Sequence, residues 1–459
     1  MKKLLLTMIA VLTAVGLQAQ EEPKRISLTQ DERKMVNGSN GFALDLFRKA
    51  RTDKDMILSP LSITYALGML NNGAAGETQE QINKVLGFGD FGAKGINNFC
   101  QKMMREAVSL DKQTKVMLSN TIFVNQAGGC VLKPDFVDTA KDYYQAEPEC
   151  RDFYDGRTLD VINQWGNDHS EGMIPKILSE DEFDPSYLSY LLNAIYFKGI
   201  WTLKFDAKET KDETFGHEGA AESLLTLPMM HQEKQLYYME DANWQVLKLP
   251  YGNEAYMMTL LLPQSGKELE KEIQNLTVGN LEKYQSNREE AIVDVKLPRF
   301  ESNTSIDLKE VMGALGMPKA FTPQAEFPDF CNESTYIGLM KQVARIKVNE
   351  EGTEAAAITI IGDKSTGMGP GPKYVKFHAN RPFLYIISEE STGAIFFMGQ
   401  FMGNTRASKA DGTDIRKPET KSQTTEGNSL YNLSGQRLSN PPARGIYIQN
   451  GKKKRIAFH

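Results

Sequence analysis

Five histidines, His169, His217, His231, His378 and His459, are the side chains best suited to proton transfer or metal binding, and none stands in the H-E-x-x-H spacing that turns two imidazoles toward one zinc ion. No G-x-S-x-G elbow presents a nucleophilic serine, and no G-x-x-x-x-G-K loop waits for a phosphate. Gly367-Met368-Gly369-Pro370-Gly371 is glycine-rich, but its proline and neighbours do not open a helix, so it lacks the N–H groups that cradle a pyrophosphate. Carboxylates are plentiful but scattered. The chain reads as a non-enzyme with no metal and no cofactor. What it offers instead is a segment fit to be acted upon. Val348-Asn349-Glu350-Glu351-Gly352-Thr353-Glu354-Ala355-Ala356-Ala357-Ile358-Thr359 is a run of small and β-capable residues around a glycine hinge. Side chains alternate along a strand. If Thr353 faces a core, so do Ala355, Ala357, Thr359 and Ile361, small near the hinge and apolar beyond it. No proline interrupts 353–363, so every amide can join a ladder, and Gly352 can take backbone angles that suit a hinge. The plainer reading of Thr353–Ala357 is a surface helix, which Ala and Glu favour.

The elements that must position this segment form one mixed block over 27–403. Asn40–Ala50 has helical apolar spacing. Ser59 and Pro60 open a second helix as cap and first turn. Lys115–Asn125 reads as a strand and Pro134–Tyr144 as a helix. Leu188–Phe197 is a continuous apolar run, as in a strand buried on both faces. Val246–Pro263 reads as two strands around Tyr251-Gly252-Asn253, and Glu289–Phe300 as a strand ending at Pro298. Strands and helices do not alternate regularly, which predicts an α+β fold with large sheets. With 459 residues, 41% of them apolar, a large core is possible, and a net charge of −6 gives no reason to expect nucleic acid.

Residues 1–19 read as a signal peptide: Lys2 and Lys3, an apolar run from Leu4 to Leu17, then Ala19. No later run approaches the ~20 apolar residues of a membrane helix, so an exported, soluble product is expected. Residues 404–427 are polar and read as a flexible linker. Residues 428–459 read as a small β tail, with one alternating run over Ser429–Leu438 and a hairpin turn at Asn450-Gly451. The basic run Lys452–Arg455 reads as a solvated tail. Export permits disulfides. Cys100, Cys130, Cys150 and Cys331 allow three full pairings; Cys130–Cys150, flanking one predicted helix, is favoured, with free buried thiols as the alternative.

Several phrases in the 27–403 block resemble the serpin family, in the family's order. They are Ser59-Pro60-Leu61-Ser62-Ile63, Ala66-Leu67-Gly68-Met69, Asn72-Gly73-Ala74-Ala75-Gly76-Glu77-Thr78, the near-complete match Leu192-Asn193-Ala194-Ile195-Tyr196-Phe197-Lys198-Gly199-Ile200-Trp201, then Leu297-Pro298-Arg299-Phe300 and Leu315-Gly316-Met317, with Phe377–Phe383 and Ile395–Gly399 at the end. The resemblance implies a domain of three sheets and eight or nine helices with an exposed reactive loop. It implies a suicide-substrate inhibitor of serine proteases, and of cysteine proteases by extension. A target protease cuts the loop and forms an acyl-enzyme, and the cut loop then enters the main sheet as a new strand and carries the protease with it. At about 1 kcal/mol per new hydrogen bond, some ten inserted residues release roughly 10 kcal/mol. That rivals the stability of a whole domain, so the uncut form would be a kinetic trap.

The resemblance makes Glu350, Gly352, Thr353, Ala355, Ala356 and Ala357 the hinge, and Ser59, Ser62, Asn193, Gln342 and Trp201 the region where the sheet opens. Family spacing puts the reactive bond at Thr366–Gly367, suited to an elastase-like pocket. The loop is longer than the family's commonest form, so Lys364–Ser365 (trypsin-like) and Met368–Gly369 (chymotrypsin- or elastase-like) stand as alternatives. Two residues depart from the pattern. Asp363 would face inward late in insertion, where a carboxylate is costly to bury. Gln342 replaces the family's usual histidine, which removes a titratable group from the opening point. The tail resembles the C-terminal sorting segments of exported Bacteroidetes proteins. The expected partner is a covalently bound target protease, the expected state a monomer, and the expected location extracellular, cell-surface or periplasmic. The alternative is a non-inhibitory serpin-fold carrier, which the small hinge residues disfavour.

Overall fold

The computed structural model describes residues 23–216, 224–353 and 373–403, together with four short strands of the C-terminal stretch. The expected hinge residues Ala355, Ala356 and Ala357, the expected inward Asp363 and the three candidate reactive bonds, Lys364 to Gly369, lie outside the described residues. Contacts divide the chain into Met1–Ala407 and Ser408–His459.

In the first unit, helix α1 (Gln30–Ala50) begins ten residues before the apolar spacing suggested. Its first turns are held by a capping box rather than by burial: Glu32 N donates to the Thr29 hydroxyl (3.2 Å) and Thr29 N to the Glu32 carboxylate (2.7 Å). Helix α2 (Pro60–Asn71) starts at Ser59, whose hydroxyl accepts from Ser62 N. The helices α3 (Gly76–Leu86), α4 (Gly92–Glu106), α5 (Pro134–Tyr144), α6 (Thr158–Asp168), α7 (Leu269–Asn275), α8 (Val278–Ser286) and α9 (Lys309–Leu315) complete the described set.

The strands of this unit are β1 (Met56–Leu58), β2 (Lys115–Asn125), β3 (Glu149–Arg151), β4 (Ser189–Ile200), β5 (Lys211–Phe215), β6 (Leu225–Glu240), β7 (Trp244–Tyr251), β8 (Tyr256–Pro263), β9 (Glu290–Pro298), β10 (Phe300–Asp307), β11 (Leu339–Asn349), β12 (Gly352–Thr353), β13 (Tyr374–His378), β14 (Phe383–Glu389) and β15 (Ile395–Phe401). One sheet runs β1-β15-β14-β8-β7-β6-β9-β13, with β5 on β6. The long β6 serves two neighbourhoods, pairing with β9 over most of its length and with β7 at its end, which fuses two of the three expected sheets. The other sheet runs β10-β11-β12-β4-β2-β3. Helix α6 covers its outer face through Ile162, against Tyr190, Leu192 and Ala194 of β4. Helix α2, buried along its whole length, backs the inner face. The arrangement is α+β.

One disulfide joins Cys130 to Cys331, with Cα atoms 6.0 Å apart, and corrects the expected Cys130–Cys150 pair. The segment after β2 runs antiparallel to 330–332: Leu132 bridges Cys331 and Lys133 N donates to the Phe330 carbonyl. Cys150 instead sits on edge strand β3 beside Val124, unpaired. Cys100 is also unpaired and buried, and burial pushes its thiol up to about 12.

In the second unit, strands β16 (Leu430–Tyr431), β17 (Arg437–Leu438), β18 (Gly445–Gln449) and β19 (Lys452–Ile456) form a sheet in the order β17-β16-β18-β19. The single run expected over Ser429–Leu438 is two strands paired antiparallel. Strands β18 and β19 pair antiparallel on either side of Asn450-Gly451, which itself lies outside the described residues.

A candidate strand-insertion site

Strands β4 and β11 are parallel neighbours, paired directly from Leu339↔Tyr190 to Arg345↔Tyr196. Beyond that point they part. The chain leaves β11, turns at Glu350-Glu351 and re-enters between them as β12, antiparallel to both: Val348↔Thr353 on one side and Thr353↔Gly199 on the other. Asn349 makes the turn, its side-chain oxygen accepting from Glu351 N (3.0 Å) and Gly352 N (3.2 Å). Gly352 has φ +146°, and a Cβ there would collide with the Gly199 carbonyl. Gly199 in turn lets Tyr251 lie against the strand, because a Cβ would sit 2.7 Å from its ring. Thr353 is fully buried on the core-facing side, and its hydroxyl is 2.8 Å from the Tyr251 hydroxyl.

The turn is anchored on its far side. Glu350, itself buried, accepts from Arg299 Nε (3.1 Å) and the Thr210 hydroxyl (2.6 Å). Burial opposes ionisation of its carboxyl, but these bonds outweigh it and hold it below the usual glutamate range. Glu351 pairs with Lys204 at 2.6 Å. Trp201 donates its ring N–H to the Asn349 carbonyl (2.9 Å) and stacks on Tyr251 with centroids 4.4 Å apart. The family resemblance places Trp201 with Ser59, Ser62, Asn193 and Gln342. It stands instead at the entry, eight residues along from Asn193, or about 26 Å of strand.

The other four do meet, midway down the paired strands. Gln342 and Asn193 are register partners, and Gln342 Nε2 donates to Asn193 Oδ1 at 2.6 Å. Gln342 also closes a two-way bond with Ser59, donating to its carbonyl (3.1 Å) and accepting from its N–H (2.9 Å). Asn193 Nδ2 donates to the Ser62 hydroxyl and to Asn120 Oδ1. All five residues are buried, none titrates, and Asn120 Nδ2 has no partner. Separating β11 from β4 would break the Gln342–Asn193 bond and strand a buried amide, at a cost of about 1–3 kcal/mol unless an entering strand replaces it.

Asn120 escaped notice in the sequence, although a signal existed. The core-facing series of β2 is Val116, Leu118, Asn120, Ile122, Val124; that of β4 is Leu191, Asn193, Ile195, Phe197; that of β11 is Met340, Gln342, Ala344, Ile346, Val348. Each has one polar residue, and the three lie in one row. Arg299, Thr210 and Tyr251 were likewise missed as partners of the hinge; only the fold brings them there. On the opposite face, Lys341 of β11 is buried and bonded to Glu182, so that an ion pair ties β11 to the segment leading into β4.

The geometry is that of a sheet with a strand begun in its middle. Comparison with known proteins shows the family. Residues 37–403 match the model of the family described as serpin (serine protease inhibitor). An uncharacterized serpin-like protein of Thermococcus kodakarensis is 32% identical over 380 residues, covering 81% of this chain and 86% of its own. Serpin I2 of Homo sapiens is 30% identical over 396 residues, covering 84% and 96%. Among solved structures, the native state of the thermophilic serpin tengpin superposes with a TM-score of 0.74 at 27% identity, covering 83% of this chain and 97% of tengpin. Thyroxine-binding globulin in complex with thyroxine gives a TM-score of 0.72 at 25% identity, covering 81% and 100%. Among the described residues, no helix is long and apolar enough to cross a membrane.

Proposed function

Since this chain belongs to the serpin family, we propose that it is a suicide-substrate inhibitor of serine proteases and not an enzyme. The reading is that a protease cuts the segment after Thr353 and is caught as an acyl-enzyme while the freed strand continues the path that β12 begins. The observation that carries this is the seating of Thr353: small, fully buried and paired on both sides between β4 and β11, at the head of a run of small residues in the sequence. Thr366–Gly367 is the proposed bond, with an elastase-like target; Lys364–Ser365 would draw a trypsin-like enzyme. The signal-like first nineteen residues support export, and the tail's likeness to sorting segments supports a bacterial cell-surface, periplasmic or extracellular location. The protein acts as a monomer.

The test is a gel. Mixed with elastase or trypsin, the protein gives a covalent band that survives SDS, and sequencing the released fragment identifies the bond. The carrier reading, for which thyroxine-binding globulin is the family precedent, requires cleavage without trapping. That outcome would overturn the proposal.

A further inference from the structure

A strand entering between β4 and β11 divides the six-stranded sheet into two groups, β4, β2 and β3 on one side and β11 and β10 on the other. The disulfide joins these two groups. Cys130 follows the last residue of β2 by five positions, and Cys331 precedes the first residue of β11 by eight. Both stand beyond the end of the sheet that lies farthest from β12. There Val124 of β2 is opposite Ser189, the first residue of β4, and Leu339, the first of β11, pairs with Tyr190. β12 enters at the other end, between Gly199 and Val348.

The bond is the centre of a cluster of ties. Asn332 N donates to the Val131 carbonyl (3.1 Å), Asn332 Oδ1 accepts from Val131 N (2.6 Å), and Asn332 Nδ2 donates to the Gly129 carbonyl (3.3 Å). Phe136 of α5 meets Phe330 edge-on, with centroids 4.7 Å apart. Nearer the sheet, Gly338 N donates to the Ser189 carbonyl (3.1 Å) and the Ser189 hydroxyl to the Tyr336 carbonyl (3.1 Å). The segment that carries Cys331 is itself fixed to the turn after α2: Asp329 N donates to the Gly73 carbonyl (3.2 Å) and Ala75 N to the Glu326 carbonyl (2.9 Å). Hydrogen bonds of this kind open and close, but a covalent link keeps their partners facing one another, so the cluster re-forms. At the β12 end, among the described residues, no disulfide joins the two groups.

We propose that Cys130–Cys331 is the pivot on which the sheet opens, so that β4 and β11 part first beside β12 and last beside Ser189 and Leu339. An entering strand widens the gap by one strand spacing, about 4.8 Å. Residues 126–129 and 332–338 lie between the cysteines and the strands and take up that displacement, so the bond sets the order of opening without forbidding it. Its use rests on the inhibitory reading. A strand that continues β12 meets the gap in the order in which it opens, whereas a segment approaching from the far end meets strands that are still paired. Both cysteines are buried, which denies a reductant access in the folded chain. The bond is therefore a fixed part of the device and not a redox switch.

The experiment is hydrogen exchange of the amides that bond across β4 and β11 in the uncut full chain, compared with those of β8 and β14 in the other sheet. In the wild type, amides of Tyr190–Leu192 and Leu339–Lys341 should exchange as slowly as those of β8 and β14, and amides of Ala194–Tyr196 and Val343–Arg345 faster. In Cys130→Ala/Cys331→Ala the far-end amides should exchange about tenfold or more faster than those of β8 and β14. If they lose protection only in step with β8 and β14, the disulfide stabilises the whole fold and is no pivot. Wild type in which the far end exchanges as fast as the β12 end overturns the proposal without any variant. The readout needs no protease. A chain that shows the expected pattern but fails to trap protease refutes the inhibitory reading alone, and a chain that traps protease without the pattern refutes the pivot alone.

Discussion

An amide at position 342 makes the opening point of the sheet indifferent to pH. Gln342 satisfies Ser59 in both directions and Asn193 in one, and no member of the row with Asn120 carries a proton to gain. Unfolding rates in fixed denaturant should therefore be flat across about pH 6 to 7 through this site, and Gln342→His should introduce a change across that interval. The hinge obeys the opposite logic. Thr353 occupies a fully buried slot against Tyr251, and an arginine there would carry a charge out of water, at several kcal/mol. Thr353→Arg should be cut by the target protease and released, with little or no SDS-resistant complex; continued trapping by this variant would refute insertion beginning at β12.

Among elements, the turn between β11 and β12 is fastened to the body by Glu350 through Arg299 and Thr210. Glu350→Gln leaves Arg299 mostly buried and without its carboxylate, so denaturant unfolding of the uncut protein should show a loss of about 2 kcal/mol or more. Because the Glu350 carboxyl is held low, its contribution is complete above the ordinary glutamate range and fades only as pH falls through the lowered value. The disulfide acts at the other end of the sheet, closing a separation of 201 residues. Cys331→Ser should lower stability by roughly 2–5 kcal/mol. These elements also show what the sequence could and could not reveal. β2, β4 and α5 were legible because alternation, a continuous apolar run and a proline at the first helical turn are local signals. The start of α1 was not, since its first turns are polar and capped. The Cys130–Cys331 pair and the Glu350 anchor were not either, because their partners lie far along the chain and only the fold joins them. At the site, Gly352 and Thr353 were legible within a run of small and β-capable residues; Asn120 was visible only as one polar residue in an apolar series.

For the whole molecule, the proposed insertion implies that the uncut state is not the most stable arrangement of the chain. β12 supplies two residues of a middle strand, while β4 and β11 remain paired directly below it. Completing the strand would exchange that single parallel pairing for two new antiparallel ones, on either side of the entering strand. At about 1 kcal/mol per hydrogen bond the gain approaches 10 kcal/mol over the length of β11. For a unit of this size that corresponds to a rise in melting temperature of about 10–15 °C. Protein nicked near Thr366 with a non-target protease and scanned calorimetrically beside the intact form should show that rise. Thr353→Arg, nicked in the same way, should show much less of it, which separates strand entry from mere relief of a strained loop. Equal melting of nicked and intact wild type would mean that the uncut form stores nothing, and that the fold is held here without the function it usually serves.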